Sequence, residues 1–422
     1  MPPLPASHPL DARASDPALL GWMVGSPPPP EKRIRFDDGT CRQFPQIRWA
    51  YSHQRQLVPT RAVPRGTGPV WELPRAPRED LDAVRFMPIG ADAPMSWGEA
   101  FDANYTDGIV VLHRGRIVQE RYAGVLRPEV QHLAMSVTKS FVGLLGAMLV
   151  ADGTLDEQAP ASNWVPELSG SAFGHATVRQ LLDMTTALRY SEDYANPAAE
   201  IYDFVRAGHV VPRPADYTGP DGFHAFLRMV QAQGTHGEAF AYKTVNTDVL
   251  AWVMARATGQ ALDMLLAERL WQPLGTEHDA YFSVDALGTP FAGGGLNLAL
   301  RDLARVGELM RLRGTRPDTG HSIVPGAVID DIARGADPAR FAKAGYGLLL
   351  GWSYRSMWWV THNPHGAYTA RGVHGQGIYV DPAAEMVVAR FASHPMAANA
   401  HLDPTSLPAY HALARHLMAE PG

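Results

Sequence analysis

Cysteine is almost absent from this 422-residue chain. The single thiol, Cys41, excludes an intramolecular disulfide and leaves no thiolate cluster for a structural metal; it reads as a packed, inert side chain. Positive charge is in short supply too. The 37 Lys and Arg against 43 Asp and Glu leave a net charge of -6, with no basic footprint for nucleic acid. No basic segment followed by an apolar run opens the chain, so no secretory signal is visible and a cytoplasmic location is expected. The longest apolar stretch, Ser140 to Ala151, is too short and too interrupted to span a bilayer, so no membrane partner is expected. HExxH, G-x-S-x-G and P-loop patterns are all missing, and neither a metal nor an organic cofactor is expected.

What remains is an ordinary globular composition, 46% hydrophobic and 19% charged, in a chain long enough for two packed regions. Residues 1–90 carry proline-rich punctuation, including Pro27-Pro28-Pro29-Pro30, and read as an irregular arm wrapping the body. The apolar runs on either side of Arg114-Gly115 predict a hairpin, 108–113 with 116–122. Helical spacing predicts helices over 136–152, 177–184, 248–258, 261–271, 300–312 and 407–419. Strands are expected at 347–354, 376–380 and 385–391. For the two strand groups to share a core they must pair across the helical middle. The fold class is therefore α/β (α+β): an α/β domain from 91–155 and 325–422, with a mostly helical domain, 156–324, inserted.

Three groups carry possible chemistry. Ser136-Val137-Thr138-Lys139 opens a predicted helix, and its i, i+3 spacing sets both side chains on one face. Free N–H groups and the positive dipole end at a helix start favour an alkoxide and lower the lysine's pKa. A capping serine beside a solvated lysine is the plainer reading, but the flanks (Leu133, Ala134, Met135, Val137, Phe141, Val142) are too apolar for a solvated lysine. Tyr242, in Tyr242-Lys243-Thr244-Val245-Asn246, precedes a second helix; it offers either a phenol to a site or an ordinary core aromatic. The run Arg371-Gly372-Val373-His374-Gly375-Gln376-Gly377 opens a strand with glycines, which permit close approach of a substrate or merely bend the chain.

Taken in this order, the three groups resemble the serine β-lactamase and penicillin-recognising superfamily. The stretch Thr177 to Leu188 is similar to a segment of that superfamily as well, and the likeness covers roughly residues 95 to 420. Within it, the segments 242–250, 294–297 with 301–305, and 374–382 resemble the 6-aminohexanoate-dimer hydrolases, amidases that degrade nylon oligomers. The resemblance implies a β-lactamase-like fold, an antiparallel sheet flanked by helices. It implies that Ser136 is the nucleophile and that Lys139 and Tyr242 share the base and acid roles. The backbone N–H groups of Ser136 and Val373 would form the oxyanion hole, with Tyr194, Asn297 and His374 as substrate contacts. Two departures matter. Ala370-Arg371-Gly372 stands where β-lactamases have Lys-Thr-Gly, with Arg371 as the substitute cation, and Thr244 replaces the asparagine of Tyr-x-Asn. The expected partner is thus a small linear amide or ester rather than a β-lactam, with a homodimer allowed for. A carboxylesterase and a non-catalytic binding protein on the same scaffold are the rival readings.

Overall fold

Strand-forming runs from the two ends of the chain meet in one sheet. The computed structural model describes residues 10–194 and 196–419. In chain order the strands begin with β1 (Thr60–Val63), β2 (Arg85–Phe86), β3 (Met95–Ser96), β4 (Thr106–His113), β5 (Arg116–Tyr122) and β6 (His132–Leu133). They continue with β7 (Ala280–Ser283), β8 (Leu296–Leu298), β9 (Ser353–Arg355), β10 (Trp358–Val360), β11 (Tyr368–Arg371), β12 (Gly377–Asp381) and β13 (Met386–Ala392). The helices that frame the site and the sheet are α1 (Val137–Ala151), α2 (Val178–Leu182), α3 (Val245–Thr258), α4 (Leu262–Leu266), α5 (Leu300–Arg311) and α6 (Asp403–Met418).

The main sheet runs β5-β4-β13-β12-β11-β10-β9, antiparallel at every pairing. Its β4–β13 ladder, with Val111 opposite Val388, joins the chain's two ends across the intervening helices. Alternation sorts the side chains onto two faces. Val110, Leu112, Ile378, Val380, Val387 and Ala389 enter the larger core with α1 and α5. Ile109, Val111, Tyr379, Met386 and Val388 enter a second core, closed by Leu413 and Leu417 of α6. A smaller sheet, β1-β7-β8-β6, lies beside the site.

Helix α1 is the central element. Val137 through Leu149 are all buried, as suits a helix that is apolar on every side. Gly143 lets it approach the chain before β10, since a Cβ there would lie 2.2 Å from the Ser356 carbonyl oxygen. Ser140 Oγ donates to the Met357 carbonyl at 2.7 Å and fixes that approach.

Three expectations need correcting. The arm is not merely irregular: it supplies β1 to the small sheet, and its Arg48 is buried against Asp107 of β4 at 3.0 Å. The strand expected over 347–354 begins only at Ser353, because Gly345 and Gly351 take left-handed backbone (φ +74° and +79°) and turns close between them. Residues 261–271 start as α4 and then widen into a π-helical turn, Ala267–Trp271. Strands β10 and β11 were not anticipated, and the helical middle also carries β7 and β8. Cys41 is buried. Among the described residues no helix is long and apolar enough to cross a membrane.

Candidate active site

Ser136 sits at the N-cap position of α1: the first-turn N–H groups of Val137, Thr138 and Lys139 close on the Ala134, Met135 and Ser136 carbonyls, while its own N–H has no backbone partner among the described residues. The residue before it, Met135, is held at φ +48°, a strained conformation for a side chain of that size. One turn on, Lys139 is 1% exposed, and its Nζ donates to Ser136 Oγ at 2.8 Å and to the Gly293 carbonyl at 2.5 Å. Burial lowers its pKa to about 8, against the opposing pull of Glu192 and Asp248. Tyr242 precedes α3 and completes the group. Its ring centroid lies 5.1 Å from Lys139 Nζ, and its hydroxyl faces Ser136. Burial, then the charge of Glu192, holds the phenol well above its ordinary pKa, so it stays protonated at neutral pH. Tyr354 and Trp359 support the ring at 6.1 and 5.4 Å.

The glycine-rich run after β11 lies against the nucleophile's backbone. Arg371 ends β11, and Val373 opens a 3-10 turn before β12 begins at Gly377. A Cβ on Gly372 would stand 2.9 Å from the Ala134 carbonyl oxygen and 3.1 Å from Ser136 N, so only glycine allows this approach. Gln376 holds the turn: its backbone carbonyl accepts Gly372 N–H at 2.9 Å, and its Nε2 donates to the Val373 carbonyl at 3.2 Å. Neither Ser136 N–H nor Val373 N–H is taken by a backbone acceptor among the described residues. Unengaged N–H groups of this kind are what stabilises a developing oxyanion.

The substrate-contact residues expected from the sequence are scattered. Tyr194 stays 37% exposed, on a loop beside the site, with its hydroxyl 3.4 Å from Glu192 Oε2. Asn297 lies in β8, fully buried; its amide donates to the Gly295 carbonyl at 2.9 Å, and its Oδ1 has no hydrogen-bond partner among the described residues. His374 is engaged with the His394 carbonyl at 2.7 Å and edge-on to Tyr51 at 5.6 Å, lining a cavity of about 50 Å³ with Arg42, Leu133 and Val210. Burial lowers its pKa to about 4, so it is neutral near pH 7. Arg371 is not a spare cation. It pairs with Asp403 and packs over Trp352 and Trp359 at 5.5 and 5.2 Å.

Two carboxylates near Lys139 were missed. Glu192 accepts the Thr244 N–H, and burial raises its pKa against the opposing charge of Lys139. Asp248, 4% exposed on α3, is raised by burial in the same way. The signal for Asp248 was the one that exposed Lys139: a charge inside a run buried from Val245 to Met254.

The beta-lactamase family profile matches residues 103–406. The chain is 33% identical over 392 residues to the 6-aminohexanoate-dimer hydrolase of Paenarthrobacter ureafaciens, covering 93% of this chain and 91% of that protein. It is 27% identical to esterase EstB of Burkholderia gladioli, over 65% of this chain and 81% of the esterase. A provisionally assigned 6-aminohexanoate-dimer hydrolase from Bacillus anthracis superposes with a TM-score of 0.83 at 29% identity, covering 94% of this chain and all of that one.

Proposed function

The chain belongs to the beta-lactamase family, and from that premise we propose that it cleaves linear amides of the 6-aminohexanoate-oligomer kind, and simple esters, through an acyl-enzyme on Ser136. The observation that carries this reading is the 2.8 Å contact between Lys139 Nζ and Ser136 Oγ, made by a lysine removed from water. When the amine is neutral the hydrogen bond reverses: the hydroxyl donates, and the amine takes its proton as Oγ adds to the carbonyl carbon. Negative charge then gathers on the carbonyl oxygen, between the Ser136 and Val373 N–H groups. Each such donor is worth about 10²–10³ in rate. Tyr242 gives its proton to the departing amine or alcohol, and the C–N or C–O bond breaks. Water, deprotonated by the same pair, attacks the acyl-enzyme and returns Ser136 to its starting form.

Support for a linear substrate comes from Arg371. With Asp403 neutralising it, Arg371 is a poor replacement for the cation that the absent Lys-Thr-Gly would supply to a β-lactam carboxylate. The likeness to EstB favours a second reading, a carboxylesterase with little amidase activity. Assay of the purified protein on linear 6-aminohexanoate amides, p-nitrophenyl esters and a chromogenic cephalosporin separates the two. Turnover of the linear amide, lost in Ser136→Ala, is expected; hydrolysis of esters alone supports the esterase, and preference for the cephalosporin contradicts both.

A further inference from the structure

The proposed base is held by a peptide that is itself held by a second buried residue. We propose that Asp248 is a positioning residue for this reaction: its carboxylate fixes the Ala292–Gly293 segment, whose Gly293 carbonyl keeps Lys139 Nζ on Ser136 Oγ. The inference rests on the reading of Lys139 as the base of Ser136. The connection is continuous. Asp248 Oδ1 accepts the N–H of Ala292 at 3.0 Å and of Gly293 at 3.3 Å; the Gly293 carbonyl accepts Lys139 Nζ at 2.5 Å; and Nζ reaches Ser136 Oγ at 2.8 Å.

The segment needs such a tie. Phe291-Ala292-Gly293-Gly294-Gly295 contains three successive glycines, the residues that lose most conformational freedom on ordering. Its own turn is closed by Gly294 and Gly295 N–H groups on the Phe291 carbonyl, at 3.3 and 2.8 Å, and this leaves Gly293 to be fixed from α3. Gly293 fits there only without a side chain: a Cβ would stand 2.2 Å from Thr244 Cγ2 and 2.8 Å from Asp248 Oδ2. That second oxygen, Oδ2, is buried with no hydrogen-bond partner among the described residues. A buried acceptor left unsatisfied costs stability, so Asp248 is not explained as a stabilising residue alone.

Charge gives the positioning role a second component. The groups facing Lys139 are Asp248 from α3, Glu192 from the 191–194 loop, and the neutral phenol of Tyr242; those facing Asp248 are Lys139, Glu192 and the phenol of Tyr190. Burial alone would make the lysine a weak base. The two carboxylates oppose that depression and keep its pKa nearer the working pH. Burial also raises Asp248 to about 8, so its charge is only partly present at neutral pH, and the tie through Oδ1 carries most of the role.

Asp248→Asn and Asp248→Ala, beside Lys139→Ala, test this with the purified full chain and a p-nitrophenyl ester. The asparagine oxygen can still accept both N–H groups, so that variant removes charge while keeping the tie. Its kcat is expected to stay near the wild-type value, because the tie is kept. The alanine variant also loses the tie, and its kcat is expected to drop by about 10²-fold while KM stays near the wild-type value, the order seen when one positioned catalytic group is misplaced. An Asp248→Ala enzyme with wild-type kcat, or an Asp248→Asn enzyme as slow as Asp248→Ala, beside an inactive Lys139→Ala, overturns the proposal and leaves the reading of Lys139 standing. A Lys139→Ala enzyme as active as wild type overturns that reading, and the proposal with it.

Discussion

Gly372 touches the backbone of Ser136 so closely that a methyl group added to it would lie 3.1 Å from the nucleophile's nitrogen and 2.9 Å from the Ala134 carbonyl oxygen. In the proposed oxyanion hole this contact would set the Val373 N–H beside the Ser136 N–H. Gly372→Ala must push the two apart, so kcat is expected to fall by about 10²–10³, the value of one oxyanion donor, with a circular dichroism spectrum unchanged. A folded Gly372→Ala enzyme with wild-type kcat contradicts the proposed oxyanion hole.

The pH profile follows from Lys139. Burial sets its pKa near 8, and only the neutral amine can accept the Ser136 proton. The value of kcat/KM for a neutral substrate should therefore rise with pH and level off above about 8. Lys139→Arg keeps the charge but cannot be deprotonated, and a loss of about 10²–10⁴ is expected, the range for a general base. A flat wild-type profile from pH 6 to 9 rules out this base.

Tyr242 is assigned the leaving-group proton, which makes its removal selective. An amine cannot depart as an anion, whereas p-nitrophenolate can. Tyr242→Phe should cost about 10²–10⁴ in kcat on a linear amide and distinctly less on a p-nitrophenyl ester. Equal losses on the two substrates would remove the acid role from this residue.

Away from the site, the arm is anchored by a buried ion pair. Arg48 and Asp107 have side chains 2% and 4% exposed, and Ser393 Oγ also donates to Asp107 at 2.6 Å. Asp107→Ala strands the guanidinium in the interior, and urea unfolding should report a loss of about 3–5 kcal/mol. A loss under about 1 kcal/mol, the value of an exposed pair, would mean that the arm is not held there.

Much of the fold was legible where periodicity is strong. The hairpin β4–β5 and helices α1, α3 and α5 follow from runs long enough to show their period. Strands β10 and β11 are only three and four residues long, below the length at which alternation shows. The serine, lysine and tyrosine could be named because each stands at a helix start in a recognisable order. Asp248 and Glu192 could not, because their importance comes from what they face across the fold: Asp248 the N–H groups of Ala292 and Gly293, Glu192 the N–H of Thr244, and both the amine of Lys139, more than fifty residues away in the chain. Asn297 shows the reverse. Its sequence neighbours resemble a substrate-contacting segment, yet β8 carries it into the interior.

The central claim is that Ser136 is the nucleophile. Intact-protein mass spectrometry after reaction with a fluorophosphonate, followed by peptide mapping, tests it directly. One adduct per chain, located on Ser136 and absent from Ser136→Ala, is the predicted result. An adduct on another residue, or none on a folded and active enzyme, would contradict it.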